Sequence, residues 1–239
     1  MRNKLLSLLL ILCSCLSISA QKTYVLSTGV SNYGDPNINL GNTTKDAKAF
    51  GALYKKQKNT SVSILTSSNA NKANIKTHID AIAKLSKPED KVIFFFSGHG
   101  SPGCFIAYDG PFYYTELISI LRTIKAKGIY VFVDACMSGS ISDDATSYDW
   151  ASNRASSISL MMSSRADEYS YETGWVTNGF FTQALLKALR GKSDTNRDRN
   201  ITLMEAFKYV HKDVTDRTPK MHPQLIASSE LFDTILTQW

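Results

Sequence analysis

Apolar runs of strand length alternate along this chain with segments of helical period. TYVLSTGV (Thr23 to Val30) reads as a strand, and KDAKAFGALYKK (Lys45 to Lys56) puts Ala49, Phe50 and Leu53 on one helical face. SVSILT is a second strand, followed by ANIKTHIDAIAKL with Ile75, Ile79, Ile82 and Leu85 spaced by four and three. KVIFFFS (Lys91 to Ser97) and IYVFVD (Ile129 to Asp134) are apolar on both faces, as expected of central parallel strands covered by helices on each side. The amphipathic TELISILRTI separates them, SISLMMSS supplies a fifth strand, and FFTQALLKAL (Phe180 to Leu189) a further helix. This order predicts an α/β three-layer sandwich with a mostly parallel sheet of about six strands.

The first twenty residues break the pattern. A basic MRNK, an apolar LLSLLLIL and small residues up to Ala20 form a secretory signal peptide pattern, too short for a membrane span. The expectation is cleavage after Ala20 and a secreted or periplasmic protein, one domain over 21–239, with lipid anchoring at LCSC the weaker alternative. Losing Arg2 and Lys4 lowers the formal net charge from +6 to +4. That mild charge, without basic runs interleaved with aromatics, gives no reason to expect nucleic acid. Cys13 and Cys15 leave with the leader, so only Cys104 and Cys136 remain, too few for a disulfide framework although a single bridge is possible.

Open parallel sheets bind ligands beyond the carboxyl ends of their strands. Two central strands end there in reactive residues, KVIFFFSGHG in His99 and IYVFVDACMSG in Cys136. Read by itself, Cys136 is a core thiol, half of a disulfide, a metal ligand or a nucleophile. With His99 at a matching strand end, nucleophilic catalysis is favoured, because a free thiol near pKa ~8.5 is mostly protonated and needs a base beside it. The N–H groups of Gly100 and Cys136 are the candidate oxyanion donors. Zinc is disfavoured, since no further Cys or His pair stands at ligand spacing. His78, His211 and His222 read as structural or solvent-facing.

FFFSGHG and VFVDACMSGS resemble the His and Cys boxes of the caspase-like cysteine peptidases, the clan of caspases, metacaspases, legumains and gingipains. LSTGVSNYGDPNINLGNTTKDAKAF and GFFTQALLKAL are similar to the first strand and helix and to a later helix of the bacterial members, so the likeness runs over most of Thr23 to Val210. It implies a His99 and Cys136 dyad with Gly100 at the oxyanion, acting on protein or peptide substrates. It also implies that Asp46, Ser97 and Asp134 meet a basic P1 side chain, hence cleavage after Arg or Lys. A desolvated carboxylate pair selects a cation for the same electrostatic reason. Legumain-like asparaginyl cleavage is the rival within the clan, and a catalytically silent calcium-binding module the rival outside it. Arg154, in the long polar stretch after Cys136, is a candidate self-processing site.

A second motif is independent of the dyad. DTNRDRNITLME follows the EF-hand loop spacing, with Asp194, Asn196 and Asp198 at positions 1, 3 and 5, the Asn200 carbonyl at 7 and Glu205 at 12. Arg199 stands where glycine normally makes the sharp turn, so the expected binding of calcium is weak. The alternative is a polar turn between two helices. No organic cofactor is expected.

Overall fold

The computed structural model describes residues 20–140, 157–168 and 179–239. Residues 1–19, with Cys13 and Cys15, and Arg154 lie outside the described residues, as does most of the polar stretch that follows Cys136. The central sheet has six strands in the order β10-β8-β7-β3-β1-β2. These are β1 (Thr23–Gly29), β2 (Thr60–Thr66), β3 (Lys91–Ser97), β7 (Gly128–Asp134), β8 (Ile158–Met162) and β10 (Gln224–Ile226). All neighbours are parallel except β10, which closes one edge antiparallel to β8.

The unbroken apolar runs of β3 and β7 are explained by burial on two sides. Val92, Phe94, Phe96, Ile129, Val131 and Val133 join one core, on the side of α2 (Lys72–Leu85) and α3 (Tyr114–Leu121). The alternate residues Ile93, Phe95, Tyr130 and Phe132 join the other, against α1 (Thr43–Tyr54), α4 (Phe180–Lys187) and α5 (Leu203–Arg217). The two-residue period of a strand thus sends successive side chains into different layers, so both faces of β3 and β7 are apolar along their centres. Helix starts are set locally: the Asn71 side chain accepts the Asn74 N–H, and Thr202 with Glu205 forms a capping box at α5.

Three elements depart from the hydrophobic pattern. Gly100 to Tyr113 folds into a small antiparallel sheet of β4 (Gly100–Ser101), β5 (Cys104–Ala107) and β6 (Gly110–Tyr113). Its strands are too short to carry a readable period. Downstream, β9 (Asn200–Thr202) pairs antiparallel with β11 (Ile235–Gln238). Ser138 to Ser140, the first residues of the polar stretch after Cys136 to be described, form a buried 3-10 turn.

Candidate active site

The sheet brings the two reactive strand ends side by side. β3 and β7 are adjacent and parallel, and their last paired residues are Ser97 and Asp134. The Gly98 N–H donates to the Asp134 carbonyl at 3.1 Å, so pairing continues one step beyond the strands. His99 and Cys136 each stand two residues past that matched pair. The backbones touch: a Cβ on Gly100 would lie 2.1 Å from the Cys136 carbonyl oxygen, and only glycine allows this approach.

The His99 ring is oriented from the loop after β1. Its Nε2 lies 2.7 Å from the Ile38 carbonyl. A carbonyl only accepts, so Nε2 carries hydrogen and the neutral ring keeps its lone pair on Nδ1. The His99 N–H donates to Tyr33 Oη at 2.8 Å, and the Tyr33 and His99 rings stand 4.9 Å apart. Such a ring is equipped to take a proton on Nδ1 and return it.

Cys136 is half-buried at the start of a braced turn. The Ala135 N–H donates to Ser163 Oγ at 3.2 Å, and the Ala135 carbonyl accepts from Ser163 Oγ at 3.1 Å and Ser164 Oγ at 3.3 Å. Met137 has φ of +53° and donates its N–H to the Glu168 carbonyl at 2.7 Å. Glu168 in turn accepts from the His222 N–H at 2.9 Å and meets His222 Nδ1 at 2.7 Å, so His222 has a structural partner. Burial pushes the Glu168 carboxyl up, but the Arg165 and His222 amides and the His222 ring outweigh it and hold the group below its ordinary value. Cys104 and Cys136 are both free thiols, so no bridge joins them, and burial raises the Cys104 pKa.

Asp46, Ser97 and Asp134, far apart in sequence, converge beside this edge. Asp46 on α1 is fully buried and Asp134 is 6% exposed. Ser97 Oγ donates to Asp46 Oδ2 at 2.8 Å, and the Gly179 N–H donates to Asp46 Oδ1 at 3.3 Å. Asp134 Oδ2 accepts from the Thr182 N–H at 3.1 Å and from Thr182 Oγ1 at 2.7 Å. Gly179 sits against both acids: a Cβ there would lie 2.8 Å from Asp134 Oδ2 and 3.6 Å from Asp46 Oδ2. Two carboxylates held this way present a negative site suited to a cationic group. Tyr33, Gly179 and Thr182 carry no sequence signal of their own; Ser163 and Ser164, directly after an apolar strand, are visibly out of place.

The EF-hand-like residues lie at a different place, between α4 and α5. Arg197 and Arg199 both adopt positive φ, +61° and +65°, so the loop makes the sharp turn without glycine. Asp194 accepts the N–H groups of Asp198 (3.2 Å) and Arg199 (3.0 Å), and Asp198 accepts that of Asn200 (2.7 Å). Trp239 Nε1 also donates to Asp194 at 3.1 Å. Glu205 faces Thr195 and Thr202. Among the described residues no three His, Cys, Asp or Glu side chains gather closely enough to hold a metal ion. The oxygen donors suit calcium in kind and order, and Asn196 stays beside Asp198, its Nδ2 donating to Asp198 Oδ2 at 3.1 Å, while the Glu205 carboxylate is engaged by Thr195 and Thr202.

The caspase domain model matches residues 22–234. Over 61 residues the chain is 39% identical to legumain of Canavalia ensiformis and 38% identical to vacuolar-processing enzyme of Glycine max. Each match covers 23% of this chain and spans only 13% and 12% of those relatives. A crystal structure of a Geobacter sulfurreducens protein has the same fold, with TM-score 0.66 over 91% of this chain and 99% of that chain at 18% identity. The match over nearly the whole described sheet, on the strands that carry His99 and Cys136, makes this chain a member of the caspase-domain family of peptidases.

Proposed function

We propose that the protein is a cysteine endopeptidase that cleaves after Arg or Lys. The observation that carries this reading is the equal placement of His99 and Cys136 past a register-matched pair of strands, and the Ile38 carbonyl at Nε2 supports Nδ1 as the base. Cys136 Sγ–H gives its proton to His99 Nδ1, and the thiolate adds to the scissile carbonyl. The N–H groups of Gly100 and Cys136 meet the oxyanion. Collapse breaks the C–N bond as His99 returns the proton to the leaving amine, leaving a thioester. Water, deprotonated by the same nitrogen, then attacks the thioester; the acid departs and the thiol is restored.

The buried acids Asp46 and Asp134, with Ser97 between them, support a basic P1 side chain. The legumain and vacuolar-processing matches favour asparagine as the second reading. An alkylating peptide with P1 Arg tests both: it is expected to modify Cys136 in the wild type and to fail in His99→Ala. Absence of labelling with P1 Arg and P1 Asn alike would leave the silent-module alternative standing.

Export is part of the proposal, supported by the basic, apolar and small-residue pattern of residues 1–20. Edman sequencing of exported protein is expected to begin at Gln21. Weak calcium binding at Asp194, Asn196, Asp198, Asn200 and Glu205 is supported by the loop spacing and by the positive φ at its sharp turn. Binding there requires Glu205 to release Thr195 and Thr202 and swing toward the aspartates.

A further inference from the structure

The loop Ser31 to Leu40, between β1 and α1, is exposed along most of its length, yet it contacts both the backbone N–H and the ring of His99. It is closed at its base by the Leu40 N–H on the Ser31 carbonyl at 2.8 Å. Within it, Asn39 Oδ1 accepts the Tyr33 N–H at 2.9 Å, and Asp35 caps the short turn Pro36–Ile38. Tyr33 is the aromatic residue that this loop sends inward, while Ile38 turns its carbonyl to the imidazole and leaves its side chain in solvent.

Tyr33 closes a ring of three hydrogen bonds around the His99 backbone. The His99 N–H donates to Tyr33 Oη at 2.8 Å, Tyr33 Oη donates to the Ile106 carbonyl at 3.2 Å, and the Ile106 N–H donates to the His99 carbonyl at 2.9 Å. Each member therefore has its donor and acceptor satisfied by the other two. The same tyrosine ring packs against the imidazole at a tilt of 41°. Main-chain position, ring face and Nε2 of His99 are thus set by Tyr33 and Ile38, which Asn39 ties together.

We propose that Tyr33 is a positioning residue for catalysis, its hydroxyl holding the His99 backbone so that Nδ1 stays aimed at the Cys136 thiol. The proposal rests on the dyad reading above. An imidazole that serves first as base and then as acid needs its angle held through both transfers, and a misplacement of about 1 Å costs on the order of a hundredfold in rate. The glycines on either side of His99 give its backbone little stiffness of its own, so the hydrogen-bonded ring supplies it.

The test is Tyr33→Phe, which removes the oxygen and keeps the aromatic packing. With a P1-Arg peptide substrate, kcat is expected to fall by about ten- to a hundredfold while KM moves by less than about threefold. Asn39→Ala, which frees the Tyr33 N–H, should give a smaller fall in kcat with KM again unmoved, and carries the test if Tyr33→Phe does not fold. Both are measured well below the melting temperature, where a purely structural role lowers thermal stability and leaves kcat intact. A folded Tyr33→Phe protein with kcat within twofold of wild type overturns the proposal alone. A wild type that neither cleaves the P1-Arg or P1-Asn peptides nor labels at Cys136 overturns the dyad reading and this inference with it.

Discussion

Replacing Gly100 with alanine tests the contact between the two strand-end turns. The added Cβ would fall 2.1 Å from the Cys136 carbonyl oxygen, 3.0 Å from Ala135 Cβ and 3.2 Å from the Cys136 carbonyl carbon. Ordinary carbon–oxygen approach is about 3.3 Å, so one turn must retreat by roughly 1.2 Å. Both obstacles nearest the new methyl group are backbone or short side chain, and neither can swing aside. The shift falls on Cys136 or on the segment carrying His99. A displacement of this size is expected to lower kcat/KM by about a hundredfold, equivalent to about 2.7 kcal/mol of transition-state stabilisation. Overpacking adds a stability loss of about 1–3 kcal/mol. Alanine keeps the N–H at position 100, so the loss reports displacement rather than a missing oxyanion donor. The assay is steady-state release of a fluorescent amine from a P1-Arg peptide, with a thermal melt to establish folding. Gly41→Ala, where the added Cβ meets nothing within 4 Å, is the control and should behave as wild type. A folded Gly100→Ala protein within threefold of wild-type kcat/KM refutes the close-approach reasoning.

Further outcomes follow from the surrounding residues. Asp134→Asn should lower kcat/KM for a P1-Arg peptide by at least about 30-fold, the effect of removing one partner of a desolvated charge pair worth about 2 kcal/mol, and narrow the preference over P1 Asn; an unchanged Arg-to-Asn ratio counts against the acid pair as the P1 site. Glu168 is held below its ordinary pKa by the Arg165 and His222 amides and the His222 ring, which overcome the opposing effect of burial. Its stabilising contribution is therefore complete above the ordinary glutamate range and lost as pH falls through the depressed folded value. Urea melts between about pH 5 and 3 should lose less stability in Glu168→Gln than in the wild type, and parallel curves would contradict this. Arg199→Gly relieves positive φ at the turn of the acidic loop and should raise stability by about 0.5–1 kcal/mol. Calcium titrated calorimetrically should bind that variant more tightly; no heat in either protein removes the calcium proposal.

Much of the fold was legible because its signals are local. The centres of these strands, VIFFF and IYVFV, are apolar throughout since each lies between two helical layers, and the residues that follow, Ser-Gly-His-Gly and Asp-Ala-Cys, are small, polar or reactive where a packed strand should simply turn. The six-stranded, mostly parallel sheet follows from that alternation of strands and helices. The segment Gly100 to Tyr113 was not legible, because strands of two to four residues fall below any periodic window. The burial of Ser138 was not legible either, since its partners Ser163 and Ser164 follow β8, about 25 positions away.

The chain's own order of residues determined the architecture, the two strand ends and the spacing of the acidic loop, because periodicity and turn chemistry act between near neighbours. Only the tertiary structure decided that Ser97 stands opposite Asp134, that Tyr33 and Ile106 close around His99, and that Gly179 and Thr182 meet the acids of α1 and β7. It also decided that Glu205 faces two threonines rather than the aspartates of its own motif. Apart from the local pair Thr202 and Glu205, such contacts join segments from ten to more than a hundred positions apart. Strand register and side-chain direction, which no local pattern contains, set them.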